Sequence, residues 1–475
     1  MKPHLNALLI LFVLAFGGLV GFFSVKLSEQ PLMLVAMLGF SIAFSAVFLR
    51  YELALRIAVL CLPFTQVPTF KFFMRWRISE VVSWLYLPLH LVALPQLIKR
   101  MPTPILWVLS TMIGYFAYTG LIGLVHAPFV ETRVEKALEF TLSPFLRVVL
   151  ETARGFASVS FFIGLLIAVR NWEGFLQIAK IFVWSGALSS GYGVYQAAVL
   201  AFGLPLPLLP GTLSHEGYDR PFGTFYEPTG MGSFTSATIL LSLYFLLTEY
   251  KLLWLICLAL NGLGFFVSLS RAGWIGLIVG VSALVCALWG HKRNSFLPIL
   301  LVIILAGTLW LGYLGAVNLF GKHQVQFSLS RYWLEYSMYS RIEGYSELPS
   351  LLKKFPYGFG QGLFLFYGAG APGFARLLVE GGFIGAFFLA LLHINSMRCL
   401  LNLWSISSEQ RRRMLPFIFA SYVSSIVTTM NYINTTDMWI WFVWSLPVVA
   451  LWAGAKDDAQ NKSLASHQHP LCRRG

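Results

Sequence analysis

Charge is scarce in this sequence. Only 11% of its 475 residues are Asp, Glu, Lys or Arg, where a soluble globular chain carries about 25%. Hydrophobic residues make up 57%, and the mean hydropathy is +0.72. That balance excludes a soluble enzyme, a disordered protein and a nucleic-acid-binding module, and leaves a polytopic membrane protein. Cysteine is equally sparse. The five (Cys61, Cys257, Cys286, Cys399 and Cys472) form no CxxC pair and imply no disulfide framework. No His, Cys and carboxylate cluster has ligand spacing, so neither a metal nor a cofactor is expected. Alternating strand patterns are missing too, which excludes an outer-membrane barrel.

What is present is a succession of apolar runs. A bilayer core of about 30 Å needs about 20 apolar residues per helix. Candidate spans are 5–23, 31–49, 53–70, 81–98, 104–125, 148–169, 175–200, 231–248, 252–268, 273–290, 296–318, 376–396, 414–430 and 436–454. The reading is an all-α protein with twelve to fourteen transmembrane helices, the third and fourth being the weakest. The first run, Leu5 to Phe23, reads as a retained helix rather than a removed signal peptide. Arg50, Lys99, Arg100, Arg170, Lys251, Lys292, Arg293, Arg398 and Arg411 to Arg413 fall between alternate pairs of spans. By the positive-inside rule those loops and both termini are cytoplasmic. The chain then divides into N-terminal helices (1–200), a first long outward loop (201–230), helices over 231–318, a large outward loop (319–375), C-terminal helices (376–454) and a tail (455–475). Loops this long are usually functional or disordered, and their aromatic, glycine-containing composition favours function.

The net charge of +14 in a soluble chain would suggest a nucleic-acid partner. Here most of it is topological, and the informative residues are those on the wrong side. Arg220 in DRPFGTFYEPTG, Arg271 in SLSRAGW, Arg341 in YSRIEGY and Arg376 in GFARLLVEGGFIG all fall at outward ends of spans. Charge at the membrane is costly and is usually paired or functional. The planar guanidinium fork suits phosphate, so a convergent set fits a pyrophosphate-bearing lipid. Arg75 and Arg77 in KFFMRWRISE read instead as headgroup anchors. Gly358, Gly360 and Gly362 in FPYGFGQG would let backbone N–H groups hold anionic oxygens, Gly360 being the central candidate. A turn packed at the membrane surface explains that stretch equally well. Most aromatics belong to interfacial belts. Tyr226, Trp333 and Tyr345 stand apart because they lie in the motif-bearing loops, and Tyr226 and Tyr345 are taken as substrate contacts.

Four segments, RPFGTFYEPTGMGSF, SLSRAGWIGLIVG, SRIEGYSELPSLLKKFPYGFGQGLF and LLVEGGFIGAFF, resemble in order and spacing the O-antigen ligase/polymerase family. The resemblance covers roughly residues 190–430. It implies a GT-C-like, metal-independent glycosyltransferase of the bacterial inner membrane, with termini in the cytoplasm and active site facing the periplasm. The donor would be a glycan on undecaprenyl pyrophosphate. The acceptor would be another lipid-linked repeat (polymerase) or lipid A–core (ligase), and a chain-length regulator is a further partner the family suggests. Arg220, Arg271 and Arg341 match the family's motif arginines, thought to engage the donor pyrophosphate. One departure matters: ligases carry a His-Asn pair shortly before the LxExGxxG segment, and here Ala371 and Pro372 stand near those positions. This favours a polymerase.

The reaction expected is attack of an acceptor hydroxyl on the anomeric carbon, with undecaprenyl pyrophosphate leaving. Arginines neutralising that leaving group supply most of the catalysis electrostatically. Glu227, His215, Glu216, His323 and Glu380 are the candidate bases. The catalytic set is accordingly Arg220, Arg271, Arg341 and Glu227, with Arg376 as a substrate contact. Glu227 also reads as an ion-pair partner for Arg220, Glu380 as the structural partner of an arginine, and His393 as structural. A lipid-linked oligosaccharide transporter is a third reading. It would require broken or charged helices and duplicated halves, and the spans carry few acidic residues and no clear repeat.

Overall fold

The computed structural model describes residues 50–65, 70–72, 74–130, 143–202, 221–225, 227–289, 346–363, 373–406, 408–430 and 437–468. Over these residues the protein is an α-helical bundle. Its helices are α1 (Tyr51–Leu60), α2 (Ile78–Leu85), α3 (Leu87–Ile98), α4 (Thr103–His126), α5 (Pro144–Ala168), α6 (Trp172–Phe202), α7 (Pro228–Glu249), α8 (Leu252–Val267), α9 (Arg271–Trp289), α10 (Gly373–Ile406), α11 (Glu409–Thr429) and α12 (Met438–Gln468). A two-stranded antiparallel hairpin, β1 (Phe70–Phe72) and β2 (Met74–Trp76), precedes α2.

Among the described residues six helices (α4, α5, α7, α9, α10 and α12) are long and apolar enough to cross a membrane, or seven if the bent pair α2–α3 is one span. The chain is a multi-pass, all-α membrane protein. The expected spans 5–23, 31–49 and 296–318 lie outside the described residues. The span expected over 53–70 is not continuous. α1 has ten residues, about 15 Å of rise, and stops short of Pro63, since the residue before a proline avoids the helical region. The span expected over 81–98 is broken by 61° between α2 and α3. Pro88 causes the break: it has no N–H to give the carbonyl four residues back, and its ring clashes there. The polar tail expected from 455 instead prolongs α12 to Gln468.

α12 is the central post. It packs on α5, α6, α10 and α11, and its fully buried Trp439 and Trp444 fit a helix that is apolar all round. One set of helices (α6, α7, α8, α9 and α11) packs through hydroxyls and glycines. The Ser236 and Ser424 hydroxyls meet at 3.0 Å, and a Cβ on Gly276 would lie 2.1 Å from Thr428. Small residues bring membrane helices close enough for dispersion and hydrogen bonding to hold them. Outward-facing Leu252, Leu255, Leu263, Phe383, Phe387 and Leu401 leave an apolar exterior, as lipid contact requires.

α4, α6 and α8 begin near the basic loops (Arg100, Arg170 and Lys251). α5, α7, α9, α10 and α12 begin at the opposite end. That opposite end carries the sequence motifs and is called the motif end below.

Candidate functional site at the motif end

Two of the sequence motifs meet where α7 and α9 begin. Glu227 is the extended N-cap residue of α7 and Pro228 fills its first turn, where a missing N–H costs nothing. α9 starts at Arg271, capped by Ser270, whose hydroxyl accepts from the Gly273 N–H at 3.2 Å. The two first turns touch backbone to backbone. A Cβ on Gly273 would lie 2.8 Å from the Gly232 carbonyl carbon, and one on Gly232 would lie 2.4 Å from the Ser270 Cβ. The glycines of TGMGSF and SRAGW thus permit the contact that sets the Glu227 and Arg271 segments side by side. Arg271 is half-buried there, and so is Glu227.

The stretch after Arg220 is clamped by a residue the sequence reading did not single out. Gln196 of α6 accepts from the Phe222 and Gly223 N–H groups at 3.1 and 2.9 Å and donates to the Gly223 carbonyl at 3.2 Å. Gly223 has φ +59, and a Cβ there would meet the Ser189 carbonyl oxygen at 2.7 Å. The Thr224 hydroxyl donates to the Pro63 carbonyl at 2.9 Å, and the Thr65 N–H returns to the Thr224 carbonyl at 3.1 Å. A lone glutamine inside an apolar run was the available signal.

The glycine loop does not cradle a ligand through the amides that suggested it. Gly358, Gly360 and Gly362 have φ of +94, +104 and +76, and all three N–H groups donate within the protein. Gly358 donates to the Phe355 carbonyl, Gly360 to the Glu380 carbonyl at 3.0 Å, and Gly362 to Glu380 Oε1 at 3.0 Å. The loop is spliced into a break in α10. Gly382, at φ +58 and ψ −156, interrupts the helix, so Phe383 does not bond back to Val379. Its N–H goes to the Pro356 carbonyl instead, while the freed Val379 carbonyl accepts from the Phe359 N–H. On the far side, the Gln361 N–H bonds the Thr119 carbonyl of α4. Gly360→Ala would place a Cβ 2.1 Å from the Gly123 Cα at a positive φ. A loss of at least about 1–3 kcal/mol is expected from the backbone strain alone, read as a lower melting temperature in detergent.

Beside this splice lies a buried ionic network. Arg77, which follows the hairpin, pairs with Asp437 and, at 3.7 Å, with Glu80, and the Arg77 N–H bonds the same Glu80 carboxylate at 2.9 Å. Arg154 reaches Glu80 and Glu151, each at 3.6 Å, and Arg147 reaches Glu151 at 2.8 Å. Arg376 pairs with Glu380 at 2.8 Å. Here the buried Arg77 and Arg376 and the half-buried Arg147 and Arg154 meet four buried carboxylates, since a charge drawn into an apolar bundle requires pairing. Glu80, Glu151, Glu380 and Asp437 are each at most 1% exposed.

Several expectations change accordingly. Arg77 is a buried ion-pair partner, not a headgroup anchor. The spans hold more acid than the reading allowed, because Glu80, Glu151, Glu380 and Asp437 are drawn into the bundle by arginines. Arg376 is 3% exposed and pairs with Glu380, an ion pair that the expectation of a substrate contact did not include. Glu380 is the structural partner of an arginine, as one reading of it held. His393 packs on Trp444 and bonds the Tyr422 hydroxyl at 2.7 Å, a structural placement. Arg220, Tyr226, Arg341 and Tyr345 lie outside the described residues, as do His215, Glu216, His323 and Trp333. Comparison with protein-family profiles gives no match for this chain, and comparison with curated proteins gives none either.

Proposed function

We propose that this protein is a glycosyltransferase of the bacterial inner membrane that joins undecaprenyl-pyrophosphate-linked oligosaccharide repeats into a polysaccharide on the periplasmic face. The observation that carries the reading is the joined first turns of α7 and α9. They set the EPTG and SRAG segments together at the end opposite the basic loops. Helix N-termini direct unpaired N–H groups and a positive dipole outward, where an anionic phosphate is favoured. Arg271 adds a fixed charge at that point, and Arg220 and Arg341 belong to the same proposed set. The acceptor hydroxyl attacks the anomeric carbon, the bond from that carbon to the pyrophosphate oxygen breaks, and undecaprenyl pyrophosphate departs with its charge held by arginine. Glu227, which begins α7, is the proposed acceptor of the hydroxyl proton. Transfer to lipid A–core is the alternative use of the same chemistry.

A lipid-linked oligosaccharide transporter is a second reading. It is favoured by the broken α2–α3 span and the buried charges beside it, features that mark substrate paths in transporters. Purified protein in proteoliposomes, given defined lipid-linked repeats, separates the readings. Lengthened glycans support the polymerase. Unlengthened repeats moved across the bilayer would overturn it in favour of transport, and transfer only to added lipid A–core would assign a ligase.

A further inference from the structure

Glu380 uses one carboxylate oxygen twice. Oε1 accepts from Arg376 Nε at 2.8 Å on its own helix and from the Gly362 N–H at 3.0 Å in the glycine loop. Its backbone carbonyl accepts from the Gly360 N–H, and the carbonyl just before it accepts from Phe359. One residue at the break in α10 therefore ties the end of the large loop to the bundle by side chain and main chain together. The Tyr118 hydroxyl, donating to the Tyr357 carbonyl, and the Gln361 bond to α4 secure the other edge. Helix α10 leaves its own carbonyls open at Gly382, and residues 356–362 close them. A broken membrane helix whose gap is filled by a loop has its backbone satisfied only while that loop is seated.

We propose that Glu380 is a positioning residue: by holding residues 356–362 in the break of α10 it fixes that stretch and the Arg376 side chain in the arrangement needed for turnover. The proposal rests on the glycosyltransferase reading, since turnover is the process the strap serves. Glu380 does not exchange protons with substrate in this scheme. Its charge orients Arg376, and its Oε1 seats the strap. Nearby charges are Glu151, Arg147 and Arg154 on α5, and Glu151 is the second anion acting on Arg376.

Full-length Glu380→Ala, Glu380→Gln and Tyr118→Phe proteins in detergent would be compared for turnover of defined lipid-linked repeats and for amide hydrogen exchange over 356–362. Glu380→Ala is expected to lower kcat about a hundredfold, the loss that about 1 Å of misplacement can cause. The KM for the donor should stay put while exchange over 356–362 rises. Glu380→Gln keeps an oxygen that accepts from Gly362 and Arg376, so it should restore most of both the rate and the protection. Tyr118→Phe weakens the strap from its half-buried edge and should move both readouts the same way by a smaller factor, which keeps a test available if Glu380→Ala does not fold. A Glu380→Gln protein as inactive as Glu380→Ala with its strap still protected would overturn the proposal in favour of proton transfer by Glu380. Full turnover in Glu380→Ala with rapid exchange would overturn it as well. If the unmodified chain lengthens no repeats, the glycosyltransferase reading fails. The exchange data then judge the anchoring separately: raised exchange in Glu380→Ala alone supports it, and unchanged exchange rejects it.

Discussion

Arg271→Ala is expected to leave the protein inserted and folded while single repeats accumulate unjoined. The size of the loss should be about 10²–10³ in kcat, the usual consequence of deleting one preorganised group that stabilises developing negative charge. The local structure explains why folding should be spared. The cap of α9 is the Ser270 hydroxyl, which bonds the Gly273 N–H, and the close approach to α7 is made by Gly232, Ser270 and Gly273. None of these contacts uses the arginine side chain. A cation at the first position of a helix also opposes the macrodipole, at a cost of roughly 0.3–1 kcal/mol in exposed settings. Alanine there relieves that one cost at the start of α9. Arg271→Lys keeps the charge without the planar fork and should recover part of the rate. Glycan length profiles from cells carrying the variant provide the measurement, with membrane abundance of the protein as the control. Unaltered chain length in Arg271→Ala would remove the arginine from the proposed mechanism.

The class of fold was legible because burial in lipid demands long apolar helices, and composition alone reveals that. The motif boundaries were legible as well. α7, α9 and α10 begin within three residues of the starts read from hydropathy, since glycine, proline and arginine punctuate an apolar run sharply. What hydropathy cannot see is continuity. The run over 53–70 is apolar enough to span, but Pro63 ends α1, and Pro88 bends the next span although its neighbours are all apolar. Charges at the margins were also lost. Arg147, Glu151 and Arg154 recur at helical spacing on α5, so they share a face, yet a window trimmed to the apolar core of that span leaves out Arg147 and treats the other two as isolated. The glycine loop carried two readings, a ligand cradle and a packed turn, because glycines and their N–H groups look alike in sequence for either use. Only the positions of Val379, Glu380 and Thr119 show that the acceptors come from the protein itself. Gln196 stood out only as a lone glutamine in an apolar run, and its role could not be read because it depends on a segment 26 residues away.

The buried network makes a second large prediction, on stability rather than turnover. Asp437 is fully buried just before α12 and pairs with Arg77, which also contacts Glu80 on the first turn of α2. Asp437→Ala takes this carboxylate away from the buried Arg77 guanidinium. Removing one partner of a buried pair typically costs about 3–5 kcal/mol, because the stranded charge keeps its desolvation penalty and loses its compensation. The melting temperature in detergent should therefore fall clearly. Asp437→Asn, which retains an acceptor for the guanidinium, should lose less. The decisive comparison is the double variant Arg77→Met with Asp437→Leu, which removes both charges and returns apolar volume. Replacing a buried pair by packed apolar groups is often neutral or stabilising, so the double variant should melt well above Asp437→Ala. If instead the losses of the single Arg77→Met and Asp437→Leu variants simply add in the double, the arginine and aspartate act independently, and the network is a set of separate contacts rather than one coupled unit. Restored stability without restored glycan synthesis would show a further point: that the charges at the start of α2 and α12 are retained for what the motif end does, beyond holding it together.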